Sequence, residues 1–199
     1  MIKNMFGINI SLEVRDPEGN VTHKHSEPGH SWVKNAYGFL LTGLSGLTAP
    51  LSEIIITDAT TFSSDTISGI CGGSDESIRT FLIRVGTSAT AFSYSDYDLV
   101  AHLDLSSTDI NISAAEYDTK VWTSSQTQVF TNDSGASQTI TEIGYFVSYY
   151  ITCHSSTTYP ASTRTTLLAR DVLSSSVSLS QYYSLTVHYN FTMDLSAVD

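Results

Sequence analysis

Apolar and polar residues alternate with a period of two at both ends of this chain. From Val177 to Met193 the odd positions read Val177, Leu179, then Leu185, Val187, Tyr189, Phe191 and Met193, while Thr186, His188, Asn190 and Thr192 fill the even positions of the closing stretch. The opening residues repeat the pattern, with Phe6, Ile8, Ile10, Leu12 and Val14 set against Gly7, Asn9, Ser11, Glu13 and Arg15. Such a rhythm suits a pleated strand with one dry face and one wet face, and no helix reproduces it. A chain built this way at both ends is expected to be a β-sandwich or barrel that works through its surfaces. The closing stretch reads as one last strand, whose unpaired edge could accept a strand from a neighbour.

With 199 residues the chain can bury a substantial core as one domain, expected to span 1–199. Charged residues make up only 15%, below the roughly 25% of an average domain. Serine and threonine stand in their place. Threonine fits a pleated surface, and a hydroxyl costs less to desolvate against a neighbour than a charge does. The formal net charge is −11. This repels phosphate backbones and anionic lipids, so neither nucleic acid nor membrane is an expected partner. Solubility accounts for the charge, with a basic protein or a divalent cation as the sharper alternative.

No stretch approaches the roughly 20 apolar residues of a membrane span. The opening MIKNMFGINISLEV alternates where a signal sequence would be continuously apolar, so synthesis in the cytoplasm, or export by a route this chain does not reveal, is expected. Two cysteines, Cys71 and Cys153, do not make a disulfide framework. Free thiols are the expected state, and pairing stays open pending their separation.

Along the chain, 5–15 reads as a strand, Asp16 to Asn20 as a tight turn and Val21 to His25 as the returning strand, broken at Glu27-Pro28-Gly29-His30. Ser31 looks like an N-cap for the one substantial helix, near 31–46, with Trp32, Ala36, Phe39 and Leu40 on one face. Leu51 to Thr57 and Ile78 to Gly86 read as strands. Long loops are expected at 58–77 and 87–118, where interaction segments tend to lie. Thr119 to Thr131 and Gln138 to Thr152, joined by Asn132-Asp133-Ser134-Gly135, read as a hairpin. Ile143, Tyr145, Val147, Tyr149 and Ile151 form the inner face of its second strand. Leu167 to Val172 leads into the final strands.

The sequence assigns no catalytic, cofactor-binding or metal-binding residue. His23 and His25 share a strand face and His30 follows, but no motif positions a third ligand, and a surface histidine pair is the expected role. No Gly-x-Ser-x-Gly elbow occurs, and Gly72-Gly73-Ser74 lacks the lysine and helix of a phosphate loop. Asp96 and Asp98 invite calcium, yet no glutamate stands at EF-hand spacing. Asn-x-Ser/Thr at Asn9, Asn20, Asn111, Asn132 and Asn190 is read as chance in a Ser/Thr-rich chain. The 11 tyrosines, six of them at 145, 149, 150, 182, 183 and 189, suit core filling and an interface equally.

Three segments carry a resemblance. They are GNVTHKHSEPGHSWVKNAYGFLLTGL, then IRVGTSATAFSYSDYDL, then VFTNDSGASQTITEIGYFV with LLARDVLSSSVSLSQYYSLTVHYNFTM. Their order resembles small structural proteins from the virion modules of tailed bacteriophages. There the Arg-Val-Gly-Thr segment, the Phe-Thr-Asn-x-Ser-Gly connector and the Ala-Arg-Asp-Val strands recur. The resemblance covers most of the chain and implies a head decoration, a connector or a tail component. It implies no active site, so the chain is expected not to be an enzyme and to need no cofactor. It further implies a homo-oligomer that contacts other virion proteins and resides in the particle after synthesis in the host cytoplasm.

The expectation is therefore a mainly antiparallel β-sandwich or jelly-roll-like domain with one α-helix, acting by self-assembly and docking in a phage-like virion. The contact surfaces are expected in the loops at 58–77 and 87–118 and on the C-terminal strand. The alternative is a carbohydrate- or receptor-binding module in which tyrosines and Trp122 stack on sugars. A glycosidase with paired carboxylates is a third reading.

Overall fold

A computed structural model describes residues 6–29, 31–37, 55–57, 64–66, 78–113, 116–118, 120–151 and 162–194. Its strands are β1 (Phe6–Arg15), β2 (Val21–Gly29), β3 (Ile55–Thr57), β4 (Ser64–Thr66), β5 (Ile78–Gly86), β6 (His102–Leu103), β7 (Ser106–Ser107), β8 (Asn111–Ile112), β9 (Glu116–Asp118), β10 (Val121–Thr131), β11 (Gln138–Ile151), β12 (Ser162–Leu179) and β13 (Ser184–Asp194). All pairings are antiparallel. The first sheet runs β2-β1-β13-β10, with β7, β8 and β9 along the far side of β10. The second runs β12-β11-β5-β6, and β3 and β4 form a small ladder of their own. The chain is mainly β and sandwich-like, as the alternation predicts.

The alternating residues meet between the sheets. Ile8, Ile10, Leu12 and Val14 of β1, with Leu185, Val187 and Tyr189 of β13, face Ile83, Val85, Ile143, Tyr145, Val147, Val177 and Leu179 of the second sheet. At one end the core is aromatic. Tyr145 stacks on Phe81 at 5.5 Å and on Tyr189 at 5.3 Å, and Phe191 lies between Tyr145 and Trp32. The buried phenols find acceptors, Tyr145 on Gln126 Oε1 at 2.6 Å and Tyr189 on Asp171 Oδ2 at 2.9 Å.

Several expectations need correction. The stretch from Val177 to Met193 is two strands in opposite sheets, joined by a turn at 180–183 in which Tyr182 has φ 67°. Its closing part is no edge. β13 lies between β1 and β10, pairing with β1 from Phe6↔Met193 to Arg15↔Ser184 without a break. The expected hairpin at 132–135 is instead an arch, because β10 belongs to the first sheet and β11 to the second. β10 has its edges taken by β13 and by β7 to β9, so β11 must cross over. Asn132, fully buried, ties this arch to the one at 180–183. Its Nδ2 donates to the Ala136 and Leu179 carbonyls, both at 2.8 Å, and its Oδ1 accepts from Ser134.

β2 continues past the expected break to Gly29. Pro28 pairs with Asn9 on an edge strand, where a missing amide is tolerated. The expected helix is present as a helical turn at 34–37, and 38–46 lies outside the described residues. Residues 31–33 are extended along β12, with Trp32 bridging Ala169, Val33 N donating to Leu168 O and Arg170 N to Ser31 O. The strand edge takes the Val33 amide and the helical turn starts only at Lys34, so Ser31 is not the cap. Most of the expected 58–77 loop also lies outside the described residues, apart from β4, and 87–118 carries β6 to β9 as short pieces.

Side chains lace the two seams between the sheets. On one side Glu27 of β2 accepts from the amide of Ser174 in β12 at 3.0 Å, and from its hydroxyl. On the other, Gln128 of β10 accepts from Ile83 N of β5 at 2.7 Å and donates to Thr108 O. Burial works to raise the Glu27 pKa, but the Ser174 and His25 hydrogen bonds outweigh it and hold the carboxyl below its ordinary 4.5. A depressed carboxylate stabilises the fold above its unfolded value and loses that contribution as pH falls through the folded value. Glu27→Gln should therefore be less stable than wild type near pH ~7, with the gap closing towards pH ~3 in urea titrations. Asn132→Ala removes the bonds to the buried Leu179 carbonyl and to Ala136 O and should cost about 1–3 kcal/mol in the same assay.

Candidate interaction surface

The outer face of the first sheet is built from the polar half of the alternation. Asn9, Asn190 and Ser125 lie in one cross-strand row, Ser11, His188 and Thr127 in the next, and Thr192 pairs with Thr123 beyond. Thr127 Oγ1 and His188 Nδ1 are 2.8 Å apart, and Ser26 of β2 donates to Asn9 Oδ1 at 3.0 Å. The charges lie at the two ends of these rows: Glu13 sits between Lys24 at 2.8 Å and Arg15 at one, and Glu116, Asp118 and Asp194 stand beside Thr123 and Val121 at the other. The Lys24 contact chiefly holds the Glu13 carboxyl below its ordinary value. An open depression of about 280 Å³ lies among Ser11, Glu13, Lys24, Ser26 and His188.

The outer face of the second sheet is covered by chain. Val33, Leu99, Phe146 and Leu167 form a small apolar cluster there, with Leu82 against it. Gly144 lies beneath this cover, where a Cβ would stand 2.6 Å from the Phe146 ring and 2.8 Å from Leu99. Beside it Arg170 and Glu142 are both fully buried, with Arg170 Nε 2.7 Å from Glu142 Oε2. Both reach this face through irregularities in register. Ile140 and Ile143 face the core three residues apart, so the pairing shift between Ile140 and Glu142 turns Glu142 outward. The shift at Tyr145/Phe146, opposite Leu168, does the same for Arg170.

The remaining hydrogen bonds of this pair go to one loop. Arg170 Nη2 donates to Thr90 O at 2.8 Å, and Nη1 to Asp96 Oδ2 at 2.8 Å and Ala91 O at 3.4 Å. Glu142 accepts from Ala101 N at 2.8 Å and Val100 N at 3.2 Å. At the loop's foot, desolvation raises the Asp98 pKa and lowers that of His102, with Arg84 3.8 Å from Asp98. The carboxylates read as a calcium invitation are thus engaged, Asp96 by Arg170 and Asp98 by Leu99 N and Arg84.

The same loop exposes Phe92, Tyr94 and Tyr97 at 36%, 52% and 42%, and Tyr94 lies 5.9 Å from the exposed ring of Tyr37. A second aromatic pair stands on the β9–β10 hairpin, where Tyr117 and Trp122 are cross-strand partners with centroids 4.8 Å apart, both exposed. Of the tyrosines read from sequence, Tyr145 and Tyr189 are core, Tyr183 packs against it and Tyr182 is exposed. The side chains of Tyr149, Tyr150 and Ile151 lie outside the described residues, as do His30, Cys71, Gly72 to Ser74 and Cys153. His23 is exposed and His25 lies 2.9 Å from Glu27. Among the described residues no three His, Cys, Asp or Glu side chains gather as a metal site.

Sequence reasoning missed Arg170 and Glu142. Their signal was a charge inside an apolar strand, in LLARDVL and TITEIGYF, where both faces are buried and an ion needs a partner. No family model, curated protein or solved structure matches this chain. Arg170→Met leaves Glu142 buried and uncompensated and should cost about 3–5 kcal/mol by denaturant titration. Combined with Glu142→Leu, the loss should be smaller than the two single losses added, by about 1–3 kcal/mol.

Proposed function

We propose that the chain is a structural component of a phage-like virion, acting by self-assembly and docking to neighbouring subunits. One observation carries this reading. The outer face of the first sheet spans four strands and is lined along its middle by hydroxyls and amides, with charges at its two ends, Glu13, Lys24 and Arg15 at one and Glu116, Asp118 and Asp194 at the other. The middle of such a face can be covered by a neighbour without stranding ions, since neutral polar groups re-pair across an interface more cheaply than charges do. The segmental resemblance to virion proteins and the exposed aromatics of 92–97 support the same reading. A laced, two-sheet body is a rigid unit of the kind an assembly repeats.

Light scattering and sedimentation across a concentration series should find association that strengthens with concentration. With the middle of the face neutral and Glu13 paired to Lys24 within one subunit, the constant should change less than about twofold between low and high salt. Mass spectrometry of purified particles should find the chain at fixed stoichiometry, and a chain that never enters a particle would sink the virion reading. The exposed Tyr117–Trp122 pair favours a second reading, a carbohydrate- or receptor-binding module, because two adjacent rings offer a stacking platform. A glycan array with binding that disappears in Trp122→Ala would move the assignment there.

A further inference from the structure

The loop at 87–101 is built inside out. Loops normally turn apolar side chains inward and leave their backbone to water. Here Leu99 is buried, but Phe92, Tyr94, Tyr97 and Val100 are exposed. The backbone faces inward instead, onto two fully buried ions. Thr90 O and Ala91 O accept from Arg170, and Val100 N and Ala101 N donate to Glu142. A polar clamp works beside the one apolar anchor, Leu99, so the loop is held in place while its rings stay exposed. Exposed aromatics on a rigid loop are the composition of a binding surface, because their ordering entropy is lost before the partner arrives.

We infer that this aromatic loop docks onto the outer face of the first sheet of a second copy of the chain, at the depression between Ser11, Ser26 and His188. The inference rests on the self-assembly reading. Three features select this occupant. The depression, at about 280 Å³, lies at the lower limit of ligand pockets and suits one inserted side chain better than a free ligand. Its charged residues, Glu13 and Lys24, are paired with each other, its hydroxyls and imidazole match the polar tips of tyrosines, and Asp96 and Asp98 are engaged within the loop's own subunit, so an acidic chain can meet itself here. The two surfaces also lie on opposite outer faces of one sandwich. Their contact is therefore head to tail, and each copy keeps one donor and one acceptor face for further growth.

Two variants separate the faces. Phe92→Ser/Tyr94→Ser removes the rings, and Ser11→Lys/Ser26→Lys fills the depression with charge. All four side chains lie at the surface or partly exposed, so denaturation midpoints should match wild type. In sedimentation velocity each variant alone should associate at least about tenfold more weakly than wild type. An equimolar mixture should form a dimer and stop there, because one intact loop meets one intact face and both outer ends are dead. If wild type assembles and either variant assembles equally well, this pairing is overturned while self-assembly stands. If both variants fail and their mixture yields no dimer, the two faces do not meet each other, and the inference fails on that ground. A wild type that stays monomeric at every concentration overturns both this pairing and the self-assembly beneath it.

Discussion

The first sheet is held at its centre by the pairing of the first strand with the last. β1 and β13 run side by side over ten residue pairs, and everything else in that sheet is added outside them. The contact closes nearly the whole chain into one loop, so its entropy is lost before the sheet can form. Contacts this far apart in sequence predispose a domain to slow folding. Around that pair the chain crosses repeatedly between the two sheets. The two arches meet at Asn132, and the open sides are drawn together by Glu27 and Gln128. Each of these side chains satisfies a backbone group that a continuous ladder would have satisfied. The sandwich thus behaves as one hydrogen-bonded shell around an aromatic and aliphatic core.

The buried Arg170–Glu142 pair plays a different part. A hydrophobic pair of the same volume could fill that place without the desolvation cost of two ions. What ions supply is direction. A guanidinium and a carboxylate can hold loop backbone groups at set distances, which a leucine cannot do. Apart from the buried Leu99, the loop's own apolar side chains are released by that arrangement, and the binding surface we infer arises from the release. Local chemistry and surface character are linked here by the same few hydrogen bonds.

Strand location was readable from sequence wherever the period of two ran unbroken. The opening strand stands where the alternation put it, Ile78 to Gly86 and the stretch read as Gln138 to Thr152 are also strands over their described residues, and Ile143, Tyr145 and Val147 are core as read. Strand partnership was not readable. The turn chemistry of Asn132 to Gly135 fits a hairpin and an arch alike, and the choice rests on which edges of β10 were already filled. Trp32 was read on a helical face with Ala36, Phe39 and Leu40, but the edge of β12 captured it and Val33 as an extended segment. The ion pair stayed hidden because a shift in register beside Ile140 and another beside Leu168 reset the phase just before each charge. The polar outer face of the first sheet was foreseeable as a composition, whereas the inward-turned backbone of 87–101 depends on contacts some 41 to 80 residues away.

The geometry of β1 and β13 also decides how the body would respond to being pulled. Phe6 and Met193 are cross-strand partners, so traction on these two points in opposite directions loads a single rung of the ladder at a time. The strands would peel apart like a zip, at low force. Tension entering through the outer faces meets no such weak line, because it runs across the thickness of the sandwich and through the seams. If copies stack face to face, the path of mechanical load avoids the one direction in which this shell tears easily.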